Sequence, residues 1–199
     1  GAKTPFPANV TGPPYRTLNF DVHLLDLASG AIDDITAGNP ADDNGPVFEP
    51  DGQGLVYARN RRQEVHADFT RLCRYDLTRG ESTEWALDLD ASPSQWTFAA
   101  DGTLLVVAES RARTNLYALR RGALELLTRG GTLGNVVAGP DGVILYTRQS
   151  ITAPAELCLR RMHQADETRL THFNDALVEQ LDLGSVEDVT FTGADGDEV

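Results

Sequence analysis

The sequence predicts an all-β protein, a partial β-propeller of about three and a half four-stranded antiparallel blades. Three observations carry that prediction. An apolar hairpin is written three times, as "PVFEPDGQGLVYARN" (46–60), "WTFAADGTLLVVAES" (96–110) and "NVVAGPDGVILYTRQ" (135–149). Its corners, Asp51-Gly52, Asp101-Gly102 and Asp141-Gly142, are spaced 50 and 40 residues apart. Downstream of each corner, and once before the first, lies a second signature: "LLDLASG" (24–30), "RYDLTRG" (74–80), "LYALRRG" (116–122) and "LCLRRM" (157–162). A third closes three of the four units: Ile35-Thr36, Leu127-Thr128 and Leu170-Thr171. A period of roughly 40–50 residues is the one expected of a propeller blade.

Taken in order, residues 1–38 supply an N-terminal segment and the second half of a blade, with strands near 20–27 and 31–36. Residues 39–87 form a blade with strands near 45–49, 54–59, 71–77 and 82–87. The blade at 88–131 has strands near 95–98, 103–109, 114–119 and 123–128; that at 132–173 has them near 135–138, 143–148, 155–161 and 166–171. Each Asp-Gly corner predicts a two-residue turn with both positions at positive φ, which Gly adopts freely and Asp tolerates. The strand after each corner is a continuous apolar run (Leu55–Ala58, Leu104–Val107, Val143–Tyr146), so both of its faces should be covered by neighbouring sheets. The fourth strand, as in "LELLT", alternates, as an outer strand with one wet face should. Residues 174–199 read as a linker, a single helical turn or irregular chain, followed by a fresh strand at Val189–Thr192 and an Asp195-Gly196 turn.

Composition narrows the function. Of 199 residues, 41% are hydrophobic and 24% charged, ordinary values for a folded domain. Lys plus Arg number 17 against 30 Asp plus Glu, a net charge of −13 that argues against a nucleic-acid partner, which requires clustered positive charge. No stretch approaches the ~18 apolar residues of a membrane span, so no membrane partner is expected. "GAKTPFPANVTGPP" at the start lacks the apolar core of a signal peptide. Cys73 and Cys158 match no metal-ligand spacing and fit a reducing, cytoplasmic setting, with a disulfide between them and a periplasmic or secreted parent left open.

No cofactor and no metal site are expected. "NPADDNGP" (39–46) invites a calcium reading but lacks spaced ligands, and reads as a turn or side-chain cap. "GADGDEV" (193–199) reads structurally for the same reason. Trp85 and Trp96 are assigned to the core, and His23 and His172 to structural roles. The longest connection within a blade, "ARNRRQEVHADFTR" (58–71), carries the substrate-contact candidates Arg59, Arg61 and Arg62 beside Glu64 and His66. Long loops on rigid scaffolds concentrate binding residues, and guanidinium groups suit carbonyl and carboxylate partners. The competing reading is a solvated loop of mixed charge.

The tail adds a narrower signal. Leu170-Thr171, Asn174, then Phe191 with Asp195-Gly196 follow one another as a blade end, an Asn and a Phe-x-x-x-Asp-Gly strand and turn. In this the sequence resembles the prolyl oligopeptidase family of serine peptidases, nearest its dipeptidyl aminopeptidase and acylaminoacyl-peptidase branches. The resemblance, over about residues 20–199, implies a propeller preceding an α/β-hydrolase domain, with the chain ending at that domain's first strand. It also implies a parent that cleaves short peptides, the propeller gating access and its loops contacting substrate. None of the serines (29, 82, 92, 94, 110, 150, 185) lies in a Gly-x-Ser-x-Gly elbow, so no catalytic triad is expected within these residues. TolB-like propellers use the same Pro-Asp-Gly hairpins, and a non-enzymatic propeller binding a protein or peptide is the alternative. Either way an open arc leaves apolar sheet faces uncovered, which predicts self-association.

Overall fold

The structure is a computed structural model and describes residues 19–63, 65, 68–85, 87, 91–120 and 122–196. The chain divides into two compact units, 1–87 and 88–199. It is nearly all β, in antiparallel sheets.

In the first unit β1 (His23–Leu25) and β2 (Ile32–Asp34) form a hairpin. A four-stranded meander follows in chain order, β3 (Asp43–Phe48), β4 (Gly54–Arg59), β5 (Arg71–Asp76) and β6 (Glu81–Glu84). Val22 packs with Leu55, Tyr57, Cys73 and Tyr75 as the core between them. The second unit holds two further meanders: β7 (Pro93–Phe98), β8 (Leu104–Ser110), β9 (Arg113–Arg120) and β10 (Ala123–Leu126); then β11 (Thr132–Ala138), β12 (Val143–Ser150), β13 (Ala153–Arg161) and β14 (Glu167–Arg169). A single parallel pairing, Thr132 with Thr114, joins them. Leu105, Val107, Leu116, Leu133, Val136, Ile144 and Tyr146 form the core between these sheets. In each meander the first pair slips register once, at Asn44/Val47, Pro93/Gln95 and Gly134/Val137, a bulge that bends and twists the leading strand.

The closing Thr signature has a specific physical cause. The Oγ1 of Thr36 accepts a hydrogen bond from Val22 N at 2.9 Å, that of Thr128 from Leu116 N at 3.0 Å, and that of Thr171 from Leu157 N at 2.9 Å. The residue before the Thr completes the tie in all three units, Ile35 N donating to Val22 O, Leu127 N to Leu116 O and Leu170 N to Leu157 O. Where the sequence writes Trp85-Ala86, Trp85 N keeps the backbone half of the tie, donating to Leu72 O at 2.9 Å. A hydroxyl here satisfies a strand amide that the short outer strand has stopped reaching.

Three expectations change. Only Asp141-Gly142 has both residues at positive φ (55° and 69°); at the other two corners Gly52 (70°) and Gly102 (83°) alone are left-handed. There the turn is wider, with Gly52 N donating to Glu49 O and Gly102 N to Ala99 O, and the Asp side chain accepts from the amide two residues on, at Gln53 and Thr103. The apolar run at Val143–Tyr146 is not covered on both faces: Ile144 and Tyr146 are buried in the core while Val143 and Leu145 are half-buried. By contrast Leu55–Ala58 and Leu104–Ala108 are buried throughout. Finally, no strand forms at 189–192; Thr192 makes one isolated bridge, and Val189 and Phe191 are 76% and 62% exposed. An extended segment with no neighbouring strand has nowhere to place its backbone hydrogen bonds except in water. The linker does contain a single helical turn, α1 (Asp175–Val178).

Candidate functional site

The arginine loop joins β4 to β5, and its charges are organised by buried carboxylates. Asp43, at the start of β3, has a fully buried side chain. It receives Arg59 Nε at 2.8 Å on one oxygen and Asn39 Nδ2 at 2.9 Å on the other. Asn39 Nδ2 also reaches the carbonyls of Ala41 and Asn60 at 2.9 Å, and Asp42 accepts from Phe20 N at 3.1 Å. The acidic stretch at 39–46 thus serves as a cap and an ion-pair partner. Burial outweighs these bonds and pushes the Asp43 carboxyl up, even with Arg59 and Asn39 pulling it down. Arg59 lies over the Tyr57 ring, 5.3 Å from its centroid, and Tyr57 donates its hydroxyl to Ser82 Oγ at 2.9 Å.

Asp68 organises the other end. Its side chain is 1% exposed, and its carboxylate accepts Arg61 N at 2.7 Å, Arg62 N at 2.9 Å and Arg62 Nε at 3.0 Å. Burial works to raise the Asp68 pKa, but the two backbone amides and the Arg62 guanidinium overcome it and lower the pKa to about 2. Arg61 pairs with Glu84 on β6 at 2.7 Å, and Arg71 sits between Asp68 and Glu84 at 3.9 and 3.7 Å.

The three sequence candidates therefore separate. Arg59 is 24% exposed and committed to Asp43; Arg61 and Arg62 remain 58% and 64% exposed, held by one carboxylate each. The last two can offer guanidinium edges to a carbonyl or carboxylate from outside. Glu64 and His66 lie outside the described residues. Asp68 and Glu84, which aim these arginines, were missed in the sequence, because nothing local marks a lone loop Asp as buried.

A second cluster sits where the last meander ends. Glu156 on β13 is buried, and its carboxylate accepts the Thr171 hydroxyl, Asn174 N at 3.1 Å and Asn174 Nδ2 at 3.2 Å. The Thr171 hydrogen bond, followed by the Asn174 donors, holds its pKa below the usual carboxylate range against the opposing effect of burial. Thr36 and Asn39 repeat the same Thr-x-x-Asn spacing, with Asn39 on Asp43, a repeat the sequence reading did not register. His172 contacts Asp175 at 2.9 Å, but that pair lies beside Arg169 and no serine hydroxyl bonds to it among the described residues. Cys73 and Cys158 are both buried free thiols. No helix among the described residues is long and apolar enough to cross a membrane.

No protein-family model matches the chain. Dipeptidyl-peptidase 5 of Porphyromonas gingivalis is 27% identical over 176 residues, covering 86% of this chain and 26% of that protein. The chain is a relative of the prolyl oligopeptidase-family peptidases. It spans about a quarter of the length of that curated relative. Among solved structures, dipeptidyl peptidase 4 of Porphyromonas gingivalis superposes with a TM-score of 0.56 at 20% identity, over 77% of this chain and 22% of that one. TolB from Acinetobacter baumannii superposes with a TM-score of 0.60 at 18% identity, over 76% of this chain and 37% of that one. These structural likenesses show the fold alone, a β-propeller of antiparallel sheets. The Thr171–Asn174–Glu156 cluster gives a physical reason for the Leu-Thr and Asn residues at 170–174.

Proposed function

We propose that this chain is the β-propeller part of a serine peptidase that hydrolyses short peptides, admitting substrate to a hydrolase domain supplied by other sequence. The similarity to dipeptidyl-peptidase 5 across 86% of the chain carries the reading. On it, residues 1–38 contribute half a blade, 39–87, 88–131 and 132–173 one blade each, and 174–199 the passage into the hydrolase domain. Arg61 and Arg62, exposed yet aimed by Glu84 and Asp68, contact the peptide; Arg59 holds the blade together. Acyl-enzyme chemistry would be performed by a base-activated serine and an oxyanion hole outside these residues.

The test is hydrolysis of chromogenic dipeptide and longer peptide substrates by the full-length protein. Cleavage of short peptides but not of folded proteins is expected, and replacing Arg61 and Arg62 together by Ala should raise KM about tenfold with kcat largely kept. Unchanged kinetics in the double variant would remove the arginines from the substrate path, and no hydrolysis of any peptide would remove the enzyme. The likeness to TolB favours one other reading, a propeller that binds a protein or peptide without cleaving it. That reading gains if the full-length protein retains peptides unhydrolysed.

A further inference from the structure

A pocket of about 630 Å³ opens inside the second unit, between the end of β10 and strands β12 to β14. Arg120, Arg129, Arg148, Arg160 and His163 line it, with Glu125 and Glu167. Both carboxylates are taken: Glu125 pairs with Arg120 at 2.9 Å, and Glu167 pairs with Arg148 at 2.7 Å and also accepts the Tyr146 hydroxyl. Two cations remain. Arg129 is exposed and has no ion-pair partner among the described residues. Arg160 is only 5% exposed, yet its guanidinium meets no carboxylate among them. It donates to the carbonyls of Leu127 and Gln164, the latter at 2.6 Å, and its Nε has no hydrogen-bond partner among the described residues.

A guanidinium this deeply buried among neutral carbonyls is costly unless a negative charge lies close by. The rest of the chain makes the local excess more pointed, since four arginines gather here in a protein of net charge −13. We propose that the pocket is an oxyanion site, taking the carboxylate or phosphate of a small ligand against Arg160, Arg129 and His163. Its walls come from two sheets that arginines already stitch together. Arg160 reaches Leu127 O, Arg148 reaches Gly130 O at 3.0 Å, and Arg120 reaches Met162 O at 3.3 Å. An anion bound there completes the seam, so occupancy stabilises the fold by mass action. The site is independent of the peptidase reading, because none of its residues belongs to the arginine loop.

The experiment is calorimetric titration of the full-length protein with inorganic phosphate and, separately, with succinate, at constant ionic strength in chloride, with Tm followed in parallel. Saturable one-site binding of at least one ion, with a rise in Tm, is expected. Binding of phosphate alone identifies a phosphoryl ligand, of succinate alone a carboxylate, and of both a site that reads oxyanion charge. Arg129→Glu, an exposed change that should leave the sheets intact, is expected to weaken binding about tenfold or more. Arg160→Met should abolish it; if that variant does not fold, Arg129→Glu and His163→Ala carry the test. If neither ion binds saturably, or if binding is unchanged in the folded variants, the arginines are only staples between sheets and the proposal fails.

Discussion

Thr36, Thr128 and Thr171 do the same work three times, and the work depends on one oxygen. Each accepts a strand amide that is otherwise unpaired, two of them at buried positions. Thr128→Val keeps the shape and removes the acceptor, leaving Leu116 N unsatisfied at a cost of about 1–3 kcal/mol, whereas Thr128→Ser should be much milder. Urea unfolding of the two variants checks this, and equal losses would show that the methyl group, not the hydroxyl, matters. Asp68 makes a pH prediction. Its pKa is depressed to about 2, so its contribution to stability is present above the ordinary carboxylate value and is lost as pH falls through the folded value. The acid decline between about pH 4 and pH 2 should be shallower in Asp68→Asn than in the parent. Identical slopes would mean Asp68 remains equally easy to protonate in the folded chain.

Strand β8 is buried along both faces, while β12 buries one. Both were written as continuous apolar runs, and only the presence or absence of a covering sheet separates them. Leu105→Ala should therefore cost about 2–5 kcal/mol through lost burial and a cavity. Leu145→Ala, at a half-buried site, should cost distinctly less by denaturant unfolding. Parity between them would mean that β12 is covered in solution by something outside the described residues. The tail carries the same lesson. Val189-Thr190-Phe191-Thr192 has β-favouring residues, but propensity without a partner strand does not make a strand. The arginine loop was legible as a binding candidate from its length and charge, but its division into one structural and two outward arginines was not. That division rests on Asp43 and Asp68 being buried, a property set by residues distant in sequence.

At the scale of the molecule, the half-covered face of β12 and the exposed apolar residues Leu25 and Ile32 of the β1–β2 hairpin leave apolar surface open to a partner. The 199-residue chain on its own is expected to self-associate in light scattering; a monodisperse monomer would sink that expectation. Sequence alone determined the all-β class, the hairpin rhythm and most strand positions, because turn chemistry and two-residue alternation act over a few neighbouring residues. It also carried the family resemblance, in the Leu-Thr and Asn of the tail. Only the tertiary structure decided which apolar runs are covered, which arginines are spoken for, and that Arg160 lies buried with no ion-pair partner among the described residues. Those outcomes depend on burial and on partners tens of residues away, and no local pattern encodes the dielectric surroundings a side chain finds after the sheets have packed.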